Sequence, residues 1–162
     1  MDIFAHFFWT YAIFHKTKKP WIAALFGILP DLLSFGVLFV INMFTGKGFM
    51  RGPPNPDLVP SFVTQSYNYT HSLIIILTII LIIYFLTKNF YVFFLGWPLH
   101  ILIDIPSHTS RIFPTPFLFP ISTYTFNGIS WANPTFMKLN YLSLILVYLI
   151  INKKKIYKLF KK

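Results

Sequence analysis

The side chains able to do chemistry are few and of two main kinds. The chain has five His and four Asp, with no Glu and no Cys. The densest group is His100, Asp104 and His108, spaced four residues apart. On a helix, positions i and i+4 share a face, so His100 and Asp104 can grip one ion. Pro106 is expected to end that helix and leave His108 on the turn above. Imidazole and carboxylate donors without thiolate suit Zn²⁺, with Mn²⁺ or Fe²⁺ as alternatives. His6, Asp31 and His71 lie on other segments that could converge on the same ion.

The segments that must position these residues are unusually apolar. Hydrophobic residues make up 56% of the 162-residue chain and charged residues 11%, against about 25% charged in soluble domains. Fourteen Lys plus Arg and four Asp cannot cover a water-facing surface, and a bilayer removes the need. The expectation is an all-α, polytopic membrane bundle of about four to five helices, with a long structured loop after the fourth. It forms one domain over residues 1–162. Residues 2–14 rise only about 20 Å as a helix, too short for a core of about 30 Å, so a half-inserted helix is expected. Residues 20–44 are long enough to span, with a kink at Gly27, Pro30 and Asp31. Residues 45–70 break the apolar pattern, the Gly- and Pro-rich run TGKGFMRGPPNPDLVP reading as a loop, and Asn68 or Thr70 could cap the next helix. Residues 71–87 and 90–105 read as a pair of spans joined by a tight turn at Lys88-Asn89. The Pro-rich stretch 106–138 reads as a loop on the membrane face. A short last helix over 139–152, which could start as early as Asn133-Pro134, leads into a basic amphipathic tail, residues 153–162, suited to anionic lipid.

The formal charge of +10 does not point to nucleic acid, because the cations flank the apolar segments. Placing the 15–19 turn, Lys88 and the tail in the cytoplasm puts ten cations there. Lys47, Arg51, Arg111 and Lys138 remain outside. The positive-inside rule favours that orientation in the cytoplasmic membrane. Asp2 and the interruption at His6 argue against a cleaved signal. Counting about 1.5 Å per residue from the cytoplasmic turns, His6, Asp31 and His100 stand about 15–18 Å up, and Asp104 and His71 about 24–26 Å. Four segments thus deliver His or Asp to the outer half of the bilayer. An Asp at a helix centre costs about 2.5–3.5 kcal/mol on insertion, so a shared divalent cation is a natural compensation. Each residue has a blander alternative: His6 as an interfacial histidine, Asp31 as a cap at the kink, His71 among headgroups, Asp104 in a polar turn. The common depth argues against all four at once. His15, beside Lys16, reads as a headgroup contact. Arg111 is either an interfacial anchor or a phosphate-binding group near the metal.

Taken in order, His6, GILPD ending at Asp31, YTHS with His71, and GWPLHILIDIPSH with His100, Asp104 and His108 resemble the bacterial and archaeal membrane-bound metal-dependent hydrolases. PTPFLFPIS and FNGISW look like that family's later loop, and the likeness covers roughly residues 3–132. A more distant similarity is to zinc-dependent phospholipase C and its nuclease relatives. It implies Asp31, His71, His100 and Asp104 as the principal metal site, with His6 and His108 holding or bordering a second metal. Lacking Glu, and with Met1 where a mature N-terminal Trp would stand, the chain is not expected to build a full three-metal centre.

The function expected is metal-assisted hydrolysis at the outer membrane interface, on a lipid or lipid-linked phosphoester. Asp31 or Asp104 would accept a proton or bridge two ions, and Arg111 would stabilise negative charge. The alternatives are an ion transporter using intramembrane Asp and His and a non-catalytic membrane protein whose metal only staples helices. A transporter ranks lower because the cytoplasmic half of the segments is nearly all Ile, Leu and Phe.

Overall fold

The structure, a computed structural model, describes residues 1–46, 55–159 and 161. Among them it is all-helical, with six helical runs and no strand; one isolated bridge joins Thr109 and Ile112. The runs are α1 (Ile3–Ile13), α2 (Pro20–Phe44), α3 (Ser61–Thr70), α4 (Leu73–Thr87), α5 (Val92–Ser107) and α6 (Pro134–Leu159). Only α2 and α6 are long and apolar enough by themselves to cross a membrane. The pair α3 and α4 passes the same test together but bends by 56° at His71-Ser72. These features are compatible with a membrane protein.

Local chemistry sets the ends of the helices. Asp2 caps α1 by accepting the Ala5 amide at 2.8 Å. Pro20 occupies the first turn of α2, where its missing amide proton costs nothing. The kink expected near Asp31 takes the form of a broken stretch at Gly27-Ile28 followed by a π-turn over Leu32–Gly36. Lys88 ends α4 in the left-handed conformation, and Asn89 bonds back to Thr87, as the short turn there requires.

Four expectations are corrected. Residues 61–70 form a helix rather than loop, because SFVTQSYNYT buries Val63 and Tyr67 four residues apart. The cap of α4 is Ser72, whose hydroxyl accepts the Ile75 amide at 3.2 Å, and not Asn68 or Thr70, which lie inside α3. Pro106 does not stop α5, which runs on to Ser107 with His108 as its cap. The expected short last helix is much longer, starting at Pro134 and carrying Lys153, Lys154, Lys155 and Lys158 on its final turns. Lys47, Arg51 and most of the Gly/Pro-rich run lie outside the described residues.

Little apolar surface is buried within the chain. The core cluster is Ile76, Ile80 and Ile101, packed by Leu73, Phe94, Trp97 and Phe117. Along α6, Leu142, Ile145, Leu146 and Ile150 are each more than half exposed. So large an apolar exposure implies a lipid or protein covering. The start of α5 packs closely against α2. A Cβ on Gly96 would overlap the Ala23 carbonyl, so only glycine permits that approach. Gly96→Ala is therefore expected to destabilise the fold by about 1–3 kcal/mol, the usual cost of overpacking. Gly36→Ala, whose added Cβ would meet only ordinary contacts of 3.4 Å or more, should stay within about 0.5–1 kcal/mol. Thermal unfolding of the two variants in detergent checks the contrast.

Candidate metal centre

Four of the six sequence-selected His and Asp residues meet at one point. Asp31, His71, His100 and Asp104 each offer one ligand atom, and these atoms lie within 4.8 Å of one another. They come from α2, the α3–α4 break and α5. The His71 and His100 Nε2 atoms stand 3.1 Å apart. His100 Nε2 is 3.1 Å from Asp104 Oδ2 and 3.8 Å from Asp31 Oδ1. His71 Nε2 is 3.6 Å and 3.5 Å from the same two oxygens. Ligands about 2.0–2.1 Å from a tetrahedral centre stand roughly 3.4 Å from each other. The five separations above, 3.1–3.8 Å, scatter around that value, so the group could hold a metal ion.

Backbone carbonyls fix which imidazole nitrogens face the centre. His100 Nδ1 lies 2.7 Å from the Gly27 carbonyl. A carbonyl can only accept, so Nδ1 carries the proton and a neutral ring presents a lone pair at Nε2. His71 Nδ1 donates likewise toward the Tyr67 carbonyl at 3.2 Å, beside the Thr70 hydroxyl at 3.0 Å. The Tyr67 ring stacks on His71 with centroids 3.8 Å apart. Trp97 Nε1 donates to the Thr70 carbonyl at 2.8 Å, tying the break to α5. Two lone pairs and two carboxylates therefore converge in a largely buried space, open only at the Asp31 edge. Donation from the far ring nitrogen to a carbonyl is the usual way a ligating histidine is oriented.

The other two histidines border the group. His6, one turn into α1, stacks on His100 with centroids 3.7 Å apart, and its Nε2 is 2.9 Å from Asp104 Oδ1. Both His6 nitrogens are buried without a hydrogen-bond partner, as is Asp104 Oδ2. Orphaned polar atoms at such a place are what a cation would satisfy. His108 Nδ1 bonds the Asp104 carbonyl at 3.1 Å and lies 3.5 Å from Oδ1. Burial pushes the His108 imidazole down to about 4, against the opposing pull of the Asp104 carboxylate. The Met1 amino group and the Ser107 hydroxyl also pair with Asp104 Oδ1. The carboxylate is thus divided: Oδ2 faces His71 and His100, while Oδ1 faces Met1, His6, Ser107 and His108.

The long loop closes over this end of the bundle. The amides of Gly128, Ile129 and Trp131 donate to the carbonyls of His108, Pro106 and Ser107 at 2.8–2.9 Å, satisfying the end of α5. A Cβ on Gly128 would overlap the Pro106 carbonyl, which accounts for the glycine in FNGISW. Asn127 Oδ1 accepts from the Ser110 amide at 2.9 Å. The Leu73 amide donates to Phe117 at 3.0 Å, Ser72 Oγ to the Phe119 carbonyl, and Tyr67 OH to Phe113 at 2.9 Å.

Access is uneven. His71, His100 and Asp104 are fully buried, whereas the Asp31 side chain keeps 20% of its surface exposed. Arg111 is exposed on the Thr109–Ile112 turn and makes no hydrogen bond or ion pair among the described residues. The structure therefore gives Arg111 no contact with the four-residue group. His15 bonds the Ala12 carbonyl at 2.6 Å, at the other end of α1. Sequence reading missed the Gly27 and Tyr67 carbonyls, Thr70, Trp97 and Ser107. Only Ser107 carried a signal, three residues after Asp104 on the same helix. Two apolar cavities lie elsewhere, one between α4 and the start of α5 (Leu77, Ile80, Leu81, Tyr84, Phe90, Leu95) and one between α1 and α6.

Removing metal should expose the mutual repulsion of these groups. Treating purified protein with a strong chelator is expected to lower its melting temperature, and Zn²⁺ should restore it. His71→Ala and His100→Ala should abolish the zinc response, and differential scanning fluorimetry provides the measurement. No family model, curated protein or solved structure matches the chain.

Proposed function

We propose that the chain is a membrane-bound metal-dependent hydrolase that acts at the outer membrane interface on a phosphoester or lipid-linked substrate. The observation that carries this reading is the convergence of two imidazole nitrogens and two carboxylate oxygens within 4.8 Å of one another, with the Asp31 side chain retaining an exposed edge. A single proton bridging the two rings would set one positive charge against two carboxylates, of which only Asp104 has the Met1 ammonium beside it. A divalent ion, Zn²⁺ by donor chemistry with Mn²⁺ or Fe²⁺ as alternatives, engages all four groups. Held there, it would supply Lewis acidity toward the scissile bond and acidify a water to near neutral pH. The resemblance of the His/Asp series to the membrane-bound metal-dependent hydrolases, and more distantly to zinc-dependent phospholipase C, supports the same assignment.

The chain's own residues divide the remaining work. Asp31, at the exposed edge, is placed to take a proton from an attacking water. Asp104 turns its oxygens in opposite directions, a disposition suited to bridging the main group and a second one made with His6 and His108. Arg111 stands on a nearby exposed turn of the loop, where it would draw in an anionic substrate rather than touch the reacting atoms. A structural staple is the second reading, favoured by the complete burial of His71, His100 and Asp104. It predicts bound metal with no turnover.

The assay is hydrolysis of a phospholipid, in mixed micelles with added Zn²⁺, by protein carrying about one metal per chain. Asp31→Asn and Asp104→Asn should lower turnover by at least about 100-fold. Arg111→Ala should cost less than the roughly 100-fold typical of a donor on the reacting oxygen. Metal retained without hydrolysis of any phosphoester tested would favour the staple.

The same reading places α2, the α3–α4 pair, α5 and α6 across the cytoplasmic membrane, with lipid as the surrounding partner. α3 exposes Thr64, Gln65 and Tyr69 while α4 is almost wholly aliphatic, which suits a bend at the water–lipid boundary beside His71. Lys154 follows Pro134 by about 30 Å of helix, one hydrocarbon thickness. Because the chain lacks Cys, single substitutions report topology cleanly. Lys88→Cys and Lys155→Cys should be labelled only from the cytoplasmic side by an impermeant maleimide, and Asn127→Cys only from the outside.

A further inference from the structure

We infer that Ser34 is a positioning residue for the metal centre, locking the π-turn that aims Asp31 at His71 and His100. The inference rests on the metal-binding reading above and adds a residue to it. Ser34 is fully buried although it is polar and sits in an apolar helix. Its hydroxyl donates to the Pro30 carbonyl at 2.8 Å and approaches the Asp31 carbonyl at 3.3 Å. Both acceptors belong to the short segment that carries the Asp31 carboxylate. Ser34 itself lies within the π-turn Leu32–Gly36, which begins immediately after Asp31.

The geometry of α2 explains why a lock is needed at this point. From the break onward its buried residues are Gly27, Pro30, Ser34, Leu38 and Asn42. Three consecutive steps of four residues would drift by about 40° each in a regular α-helix. A wider π-turn absorbs part of that drift, keeping the upper half of α2 packed while the lower half presents Asp31 to the centre. Pro30 weakens the helix at the same place because it brings no amide proton. The segment is anchored from outside as well, since Ser66 on α3 donates to the Leu33 carbonyl at 2.7 Å. Of the residues on the inner stripe of this turn, only Ser34 supplies a hydroxyl to the Pro30–Asp31 carbonyls. Loss of that bond lets the turn relax toward regular helix and swings Asp31 away from the two imidazoles. Asp31 is also the least buried of the four ligands, so packing alone restrains it least.

The test uses full-length protein in detergent, stripped of metal and titrated with Zn²⁺ against a chromophoric chelator. Wild type, Ser34→Ala and Thr78→Ala are compared. Thr78 makes the same kind of bond, to the Ile74 carbonyl at 2.7 Å, on a helix face away from the centre. Ser34→Ala is expected to weaken zinc binding about 10- to 100-fold, the usual range for a group that orients a ligand. Thr78→Ala should bind as wild type does, and Ser34→Thr, which keeps the hydroxyl, should recover most of the affinity. Wild-type affinity in Ser34→Ala overturns the inference, as does an equal loss in Thr78→Ala. Should Ser34→Ala fail to fold, Ser34→Cys takes its place and the same two results decide. Wild-type protein that binds no divalent metal would instead remove the reading beneath the inference.

Discussion

Two imidazole lone pairs and two carboxylates held about 3–4 Å apart in a buried space repel one another unless something positive lies between them. Much of the arrangement around the centre bears on that constraint. Gly27 and Tyr67 hold the distal nitrogens through their carbonyls, so neither ring can turn its N–H inward without losing a buried hydrogen bond. Gly96 brings α5 against α2 closely enough for the Gly27 carbonyl to reach His100. The break at His71-Ser72 sets one imidazole between two helices, where it can approach from a direction neither helix would allow.

The loop after α5 belongs to the same construction. Its bonds to Pro106, Ser107 and His108 satisfy carbonyls that would otherwise be orphaned at a buried helix end. Its bonds to Ser72 and Leu73 hold the start of α4. One irregular segment therefore clamps both elements that carry His71 and the His100–Asp104–His108 series. This explains how a stretch rich in proline and aromatics can be ordered without regular secondary structure: its polar backbone groups are used by its neighbours.

The fold was legible where a period or a length carried it. Apolar runs near 20–44 and 71–105 announced helices, and the i, i+4 spacing of His100 and Asp104 announced a shared face. Asp31 and His71 were legible only by depth, a weaker signal that helical rise makes usable. The helix Ser61–Thr70 was missed because the Gly/Pro-rich run before it and its many hydroxyls resemble loop, and burial of Val63 and Tyr67 outweighs that composition. The groups that orient the histidines were not legible. They are backbone carbonyls, and a carbonyl leaves no mark on residue identity. Arg111 was selected for its charge, and charge does not say whether a side chain reaches inward.

The kinked helix α2 has a consequence for how the molecule is made. Asp31 and Asp104 are separated by a long stretch of chain, and both imidazoles that face Asp31 come from that interval. At about 5–20 residues per second, a ribosome needs roughly 4 to 15 s to travel from one aspartate to the other. If α2 enters the bilayer as it emerges, its carboxylate waits through that time with no partner from its own chain. The nascent helix must stay near the interface, carry a proton on Asp31, or be sheltered by the insertion machinery. Arrival of His71 and His100 would then be the event that gives Asp31 its partners.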